Sequence, residues 1–282
     1  KLHPKEIDLS LDRIKFLCKK LGNPQDEINC IQVCGTNGKG STISFLRSIL
    51  KEANIKCNIY TSPHVIHINE RFVYNDEMIS DDDLSNLLNE IEEINNGQPL
   101  TYFEALTAAF FHGCKKYKQN LVIAEFGLFG RGDAVNILKK NLCNIITSCS
   151  EDHLDWLPKN DRTIERIIFE KTSSLLNSNI VVAKQNSNEI IGYIKKNISN
   201  NSANKYYFKE NYNFVLKEND FFYYEDKYGS LKIPKPNLNG QFQIENASTA
   251  IATLRILEDI KINDQNIING IQKAYNIARL EE

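Results

Sequence analysis

Seven residues, Gly35-Thr36-Asn37-Gly38-Lys39-Gly40-Ser41, stand between an apolar run at 28–34 and an amphipathic run at 42–53. They restrict the folds open to this chain more than any other stretch. A short run rich in β-formers reads as a buried strand, and the run after the glycines reads as a helix. Glycines between them let backbone N–H groups turn toward an anion with no Cβ in the way. The helix N-terminus adds partial positive charge, and Lys39 a full one. Ser41 offers a hydroxyl to phosphate or Mg²⁺. The strict pattern G-x-x-x-x-G-K-[ST] is not met: its first glycine would fall at Val33, and Gly40 separates Lys39 from Ser41. The plain alternative is a glycine-rich strand-to-helix turn with a surface lysine.

The rest of the chain continues the same alternation. Residues 9–21 read as an amphipathic helix closed by Gly22-Asn23-Pro24, and 56–60 as a strand. Residues 81–95, opened by three Asp, 102–117 and 163–176 read as helices; 121–125, 143–147 and 180–183 read as strands. Short connections between alternating elements predict an α/β fold, a mostly parallel sheet flanked by helices. Aromatic runs at 206–208, 214–216 and 221–224 predict a small antiparallel β patch appended to that sheet. Residues 197–204 read as a surface loop, and 246–257 and 264–275 as helices.

Composition narrows the functional classes. A net charge of −2 makes no electrostatic case for nucleic acid or an anionic membrane as partner. No apolar run reaches the length of a membrane span, and residues 1–5 lack the apolar core of a signal peptide. Seven cysteines, an odd count with no C-x-x-C pair, read as buried thiols in a reducing cytoplasm.

Further landmarks follow in order: His3-Pro4-Lys5, the segment 7–13, Leu21-Gly22-Asn23-Pro24, Thr61-Ser62-Pro63-His64 and Asn69-Glu70-Arg71. After them come Thr101-Tyr102-Phe103-Glu104, residues 125–136, Asp152-His153 and Glu170-Lys171. With the variant glycine loop, their order and spacing resemble the folylpolyglutamate synthase and dihydrofolate synthase family, within the Mur ligase superfamily. The resemblance covers essentially the whole chain. It implies a P-loop-type ATP-binding central domain over residues 1–276. Residues 277–282 would be the hinge to a C-terminal glutamate-binding domain. That domain is not part of this sequence, so the chain reads as a fragment expected to bind Mg-ATP weakly and to ligate poorly by itself. The activity implied is ATP-dependent addition of L-glutamate, through an acyl phosphate, to tetrahydrofolate, to dihydropteroate or to both.

The resemblance also assigns roles. Gly35, Thr36, Asn37, Gly38, Lys39, Gly40 and Ser41 would cradle the ATP phosphates. Ser62, Glu125 and His153 match the family's Mg²⁺ positions; a hydroxyl and a carboxylate are natural ligands for a hard cation, whereas His153 rests on the resemblance. Lys171, by itself a solvated helix lysine, matches a carbamylated lysine that helps to hold a second divalent cation. Lys39, Lys171 and His153 would be the catalytic set. Thr101, Phe103 and Asp133 match residues facing the pteridine, and an aromatic suits a flat heterocycle. Taken alone, Phe103 reads equally as a core aromatic and Asp133 as a turn residue. Gln243 and Asn246 match a Gly-x-His-Gln-x-x-Asn motif that contacts the nucleotide, with Phe242 in place of its histidine. Arg279 matches a phosphate-contacting hinge arginine. Phe129 stands where the family has glycine, Thr172-Ser173-Ser174 where it has Ala-Gly-Ile, and Pro158-Lys159-Asn160 lengthens one interval. A monomer acting on small molecules is expected. Two other readings stay open: a Mur-type peptidoglycan ligase, against which the short 34-residue lead before Gly35 argues, and a P-loop ATPase, for which a strict Walker pattern is missing.

Overall fold

The structure is a computed structural model in which residues 10–217 and 220–275 are described. In chain order the elements are α1 (Asp12–Lys20), β1 (Asn29–Cys34), α2 (Lys39–Glu52), β2 (Cys57–Tyr60), β3 (Phe72–Tyr74), β4 (Glu77–Met78), α3 (Asp81–Asn95), α4 (Tyr102–Gly113), β5 (Leu121–Glu125) and β6 (Cys143–Ile146). They continue with α5 (Ile164–Thr172), β7 (Asn179–Val182), α6 (Asn188–Asn197), β8 (Lys205–Tyr207), β9 (Tyr212–Val215), β10 (Phe221–Asp226), β11 (Gly229–Pro234), α7 (Phe242–Arg255) and α8 (Asp264–Lys273).

Eight strands form one sheet in the order β4-β3-β2-β5-β1-β6-β7-β8. The six from β2 to β8 are parallel, and β3 and β4 extend one edge antiparallel. Alternation along β1 divides the molecule into two cores. Cys30 and Cys34 face a layer built from α1, α3, α4 and α6. Ile31 and Val33 face the opposite layer, where α2, α7, α8 and the small sheet pack. Both faces of β1 are therefore dry, and every residue after Asn29 is buried, Gln32 included. The sheet explains the position of the glycine loop: it leaves the carboxyl end of β1, between neighbours β5 and β6, where open α/β sheets gather their ligands.

The α/β expectation is met, and most elements fall within a few residues of those read from sequence. β3, β4 and α6 have no counterpart in the sequence reading, and three further details differ. Tyr206 and Tyr207 do not belong to the antiparallel patch. They lie in β8, paired parallel with β7 through Val181↔Tyr206. A three-residue aromatic run carries too little periodicity to show which partner it takes. The patch itself, β11-β10-β9, is a separate three-stranded sheet packed under α7. The helix expected over 102–117 ends at Gly113 and tightens into a 3₁₀ turn over Cys114–Tyr117.

Candidate functional site

The phosphate loop is fastened from below. The amides of Thr36 and Asn37 donate to the Ser148 carbonyl at 2.9 and 3.0 Å, Thr36 Oγ1 donates to Ser150 O at 3.1 Å, and Asn37 Nδ2 to Ser150 Oγ at 3.1 Å. Gly35 has φ +133° and Gly38 φ +84°, values that favour glycine. A Cβ on Gly35 would strike Thr147 Oγ1, and one on Gly38 would strike Asn246 Oδ1. Gly38 is the N-cap of α2 and supplies no side-chain cap, so the first-turn amides at Lys39, Gly40 and Ser41 are offered to a ligand.

Beside the loop lies an oxygen pair. The Glu125 carboxylate, at the end of β5, is 97% shielded; Oε2 accepts the Ser62 amide at 3.0 Å and Oε1 lies 3.8 Å from Lys39 Nζ. Ser62 Oγ is buried with no hydrogen-bond partner. A buried hydroxyl left without a partner costs free energy, roughly 1–3 kcal/mol, unless a ligand takes it up. An orphaned hydroxyl next to a buried carboxylate fits one hard divalent cation. Among the described residues no three His, Cys, Asp or Glu side chains cluster as a metal site, so Glu125, Asp152 and His153 do not close into such a trio. Lys39 Nζ is held over the loop by the carbonyls of Gly35 and Thr36, at 3.3 and 3.2 Å.

Lys171 is 3% exposed on α5, and its Nζ donates to the Gly35 carbonyl at 3.0 Å. Burial holds its pKa below the usual lysine value, and the Lys39 ammonium pushes the same way. His153 Nε2 sits 3.1 Å from Asp152 Oδ2. Partial burial lowers the imidazole pKa against the pull of Asp152, with Lys171 and Lys39 lowering it further. The Phe129 ring approaches both, 5.8 Å from Lys171 Nζ and 6.2 Å from the His153 ring.

The substrate-side residues share a neighbourhood but have structural duties too. Thr101 Oγ1 caps α4 by accepting the Glu104 amide at 3.2 Å, and Glu104 Oε2 accepts the Thr101 amide at 2.7 Å while taking Arg13 Nε at 3.1 Å. The half-buried Phe103 ring lies against Gly127, where an added Cβ would come within 2.6 Å of it. Asp133, buried, accepts the Leu128 amide at 2.8 Å and the Val135 amide at 2.9 Å. That loop is stapled to the lysine helix: Arg131 N donates to Glu170 O at 2.9 Å, and the Arg131 guanidinium grips the Glu170 carboxylate at 2.9 and 3.0 Å. On the nucleotide side, Asn246 Nδ2 donates to Gln243 Oε1 at 3.1 Å on α7 and reaches Gly38. Arg279 and the hinge at 277–282 lie outside the described residues, as do the landmarks over residues 3–9.

Sequence reading missed the clamp after β6. Thr147, Ser148 and Ser150 hold the loop through one side-chain packing contact, a backbone carbonyl and a side-chain hydroxyl. The available signal was topological: in a parallel sheet the strand beside β1 delivers its carboxyl end to the same edge.

Comparison with known proteins bears on this geometry. Residues 33–254 match the Mur ligase middle domain. A dihydrofolate synthase/folylpolyglutamate synthase of Bacillus subtilis (strain 168) is 32% identical over 289 residues, covering 96% of this chain and 65% of that protein. The crystal structure of the bifunctional folylpolyglutamate synthase/dihydrofolate synthase from Yersinia pestis c092, complexed with AMPPNP and Mn ion, is 29% identical. It matches with a TM-score of 0.87 over 99% of this chain and 65% of its own. A further structure of such a bifunctional enzyme, with Mn, AMPPNP and L-glutamate bound, is 29% identical with a TM-score of 0.85, over 99% of this chain and 65% of that one. The chain thus spans somewhat under two thirds of the length of these relatives. With its loop, strand order and middle-domain match in agreement, the chain belongs to the Mur ligase family, and within it is similar to the folylpolyglutamate and dihydrofolate synthases.

Proposed function

We propose that this chain forms the nucleotide- and metal-binding part of an ATP-dependent ligase that joins L-glutamate to tetrahydrofolate, and to dihydropteroate, through an acyl phosphate. The observation carrying this is the orphaned Ser62 hydroxyl beside Glu125, with Lys39 3.8 Å from the same carboxylate at the mouth of the glycine loop. A divalent cation there would neutralise phosphate oxygens and the charge developing on the transferred phosphoryl group. Ser62 Oγ and Glu125 are its donors, and His153 is the third position that the family resemblance supplies. The first-turn amides of α2 and Lys39 hold the phosphates, and Ser41 adds a hydroxyl. Gln243, Asn246 and, by resemblance, Arg279 orient the nucleotide. Lys171 supplies a second charge at Gly35.

Thr101, Phe103 and Asp133 form the side on which a pteridine would lie. The likeness to enzymes named for both activities, together with Asp133 and Phe103 at one loop, supports a dihydropteroate activity beside glutamate extension of tetrahydrofolate. Action as a monomer is part of the same proposal. The seven free, buried thiols fit a reducing cytoplasm. No helix among the described residues is long and apolar enough to cross a membrane.

The test is a coupled assay on the full-length protein with ATP, L-glutamate and either dihydropteroate or tetrahydrofolate. The expected products are ADP and a glutamylated pteridine, with Lys39→Ala lowering kcat/KM about 100-fold or more. Phosphate release that is indifferent to the acceptor would replace the ligase with an ATPase.

A further inference from the structure

Gly40, Ser44, Arg47 and Lys51 follow one another at helical spacing along a single side of α2. All four line a cavity of about 400 Å³, and Ser62 and Glu125 line it as well. That volume lies in the range of small-molecule sites. From the helical rise, Arg47 stands about 10 Å along the axis from Gly40, and Lys51 about 6 Å farther. The stripe therefore starts at the phosphate loop and offers, in order, a backbone amide, a hydroxyl, a guanidinium and an ammonium group. Ile43, Ile59 and Val73 supply apolar wall beside it.

Four carboxylates line the same space, but three are already engaged. Glu70 accepts the amides of Val65, Ile66 and His67 at 2.8, 3.0 and 2.7 Å. Asp76 accepts the Cys57 amide at 3.1 Å and pairs with Lys56 at 3.2 Å. Glu125 belongs to the cation pair. Glu77, on β4, is exposed. Arg47 Nη2 donates to the Asp76 carbonyl at 2.6 Å, which steadies a guanidinium that has further N–H groups to offer. Lys51 is exposed and has no ion-pair partner among the described residues.

We propose that Arg47 and Lys51 are specificity-determining residues: they bind the carboxylates left along an acceptor that already carries glutamate, while the reacting carboxylate lies at Ser62 and Glu125. This rests on the ligase reading under Proposed function and deepens it by naming the acceptor class. In that reaction the amine of glutamate replaces an oxygen of the acceptor's carboxylate, and ATP leaves as ADP and phosphate. The product bears two new carboxylates in place of the one consumed. One of them can react in a further cycle, and the other stays on the chain as a charge. Dihydropteroate carries only the carboxylate that reacts, so it gives this stripe nothing to hold. A carboxylate suits a guanidinium, and the methylenes between carboxylates suit the apolar wall.

The experiment measures kcat/KM of the full-length protein, with ATP and L-glutamate, for dihydropteroate, for tetrahydrofolate and for tetrahydrofolate bearing one further glutamate. Arg47→Met is expected to lower the value for the longest acceptor about 10-fold more than the value for dihydropteroate, chiefly through KM. Arg47→Lys, which keeps the charge, is expected to recover part of that loss. Lys51→Ala, at an exposed position, is expected to act in the same sense by about 3-fold, with the difference fading at high salt. Glu77→Gln removes an opposing charge and is expected to favour the longest acceptor. Losses that are absent, or equal for all acceptors, overturn the inference and leave the ligase reading standing. So does an unaltered protein that uses dihydropteroate and refuses the glutamylated acceptors. No glutamylated product from any acceptor would overturn the ligase reading itself, and this inference with it.

Discussion

Asp133 shows how one side chain can serve the frame and the site together. Its two carboxylate oxygens take the amides of Leu128 and Val135, closing the loop that carries Phe129 and Arg131. Burial pushes its carboxyl up from an ordinary value of 3.8 to about 7, against backbone amides that pull it down. The folded protein therefore holds a proton that the unfolded chain has already released across that interval. Its contribution to stability is complete below the unfolded value and is lost as pH rises through the folded one. Urea midpoints measured from pH 4.5 to 8 should fall more steeply with rising pH for the unaltered protein than for Asp133→Asn, which has no proton to lose. Parallel curves would show that Asp133 is already ionised throughout. At this scale the sequence was readable where chemistry and position coincide. Lys39 and Glu125 could be chosen from a strand end and a glycine loop. Lys171 could not, because nothing in a helix reading Ile-Phe-Glu-Lys-Thr shows that its lysine turns inward to a carbonyl 136 residues away.

Among the elements, α2 governs the arrangement. It carries the phosphate loop at its N-terminus and packs α8 along its length so closely that a Cβ on Gly270 would lie 2.5 Å from Ile49 Cα. Gly270→Ala is expected to cost about 1–3 kcal/mol by overpacking, read as a lowered urea midpoint. Gly192 in α6 has open space around its Cα, so Gly192→Ala should be neutral or stabilise by up to about 1 kcal/mol. Equal effects of the two substitutions would mean that α8 does not press on α2. α3 was legible from its start, where three Asp residues sit behind Ser80, whose side chain accepts the Asp83 amide; α6, capped in the same way by Ser187, was not read. Short strands were not legible. β3 and β4 hold three and two residues, too few for alternation to show, and their pairing depends on β2 lying beside them. β8 was misassigned for the same reason.

At the scale of the molecule, two dry cores on either side of one sheet fix the carboxyl edge of β1, β2, β5 and β6 as a single rigid rim. The loop, Ser62, Glu125 and the clamp after β6 all come from that rim, so the site follows from topology once the strand order is known. The strand order itself could not be read from sequence, since it depends on which apolar runs pair across separations of about a hundred residues. The central claim is that this rim binds a nucleotide through a divalent cation held by Ser62 and Glu125. Calorimetric titration with AMPPNP, with Mg²⁺ and then with chelator, tests it most directly. Binding is expected to require the cation and to weaken about 10-fold or more in Ser62→Ala; equal affinity with chelator present, or in Ser62→Ala, would contradict a cation held by these two residues.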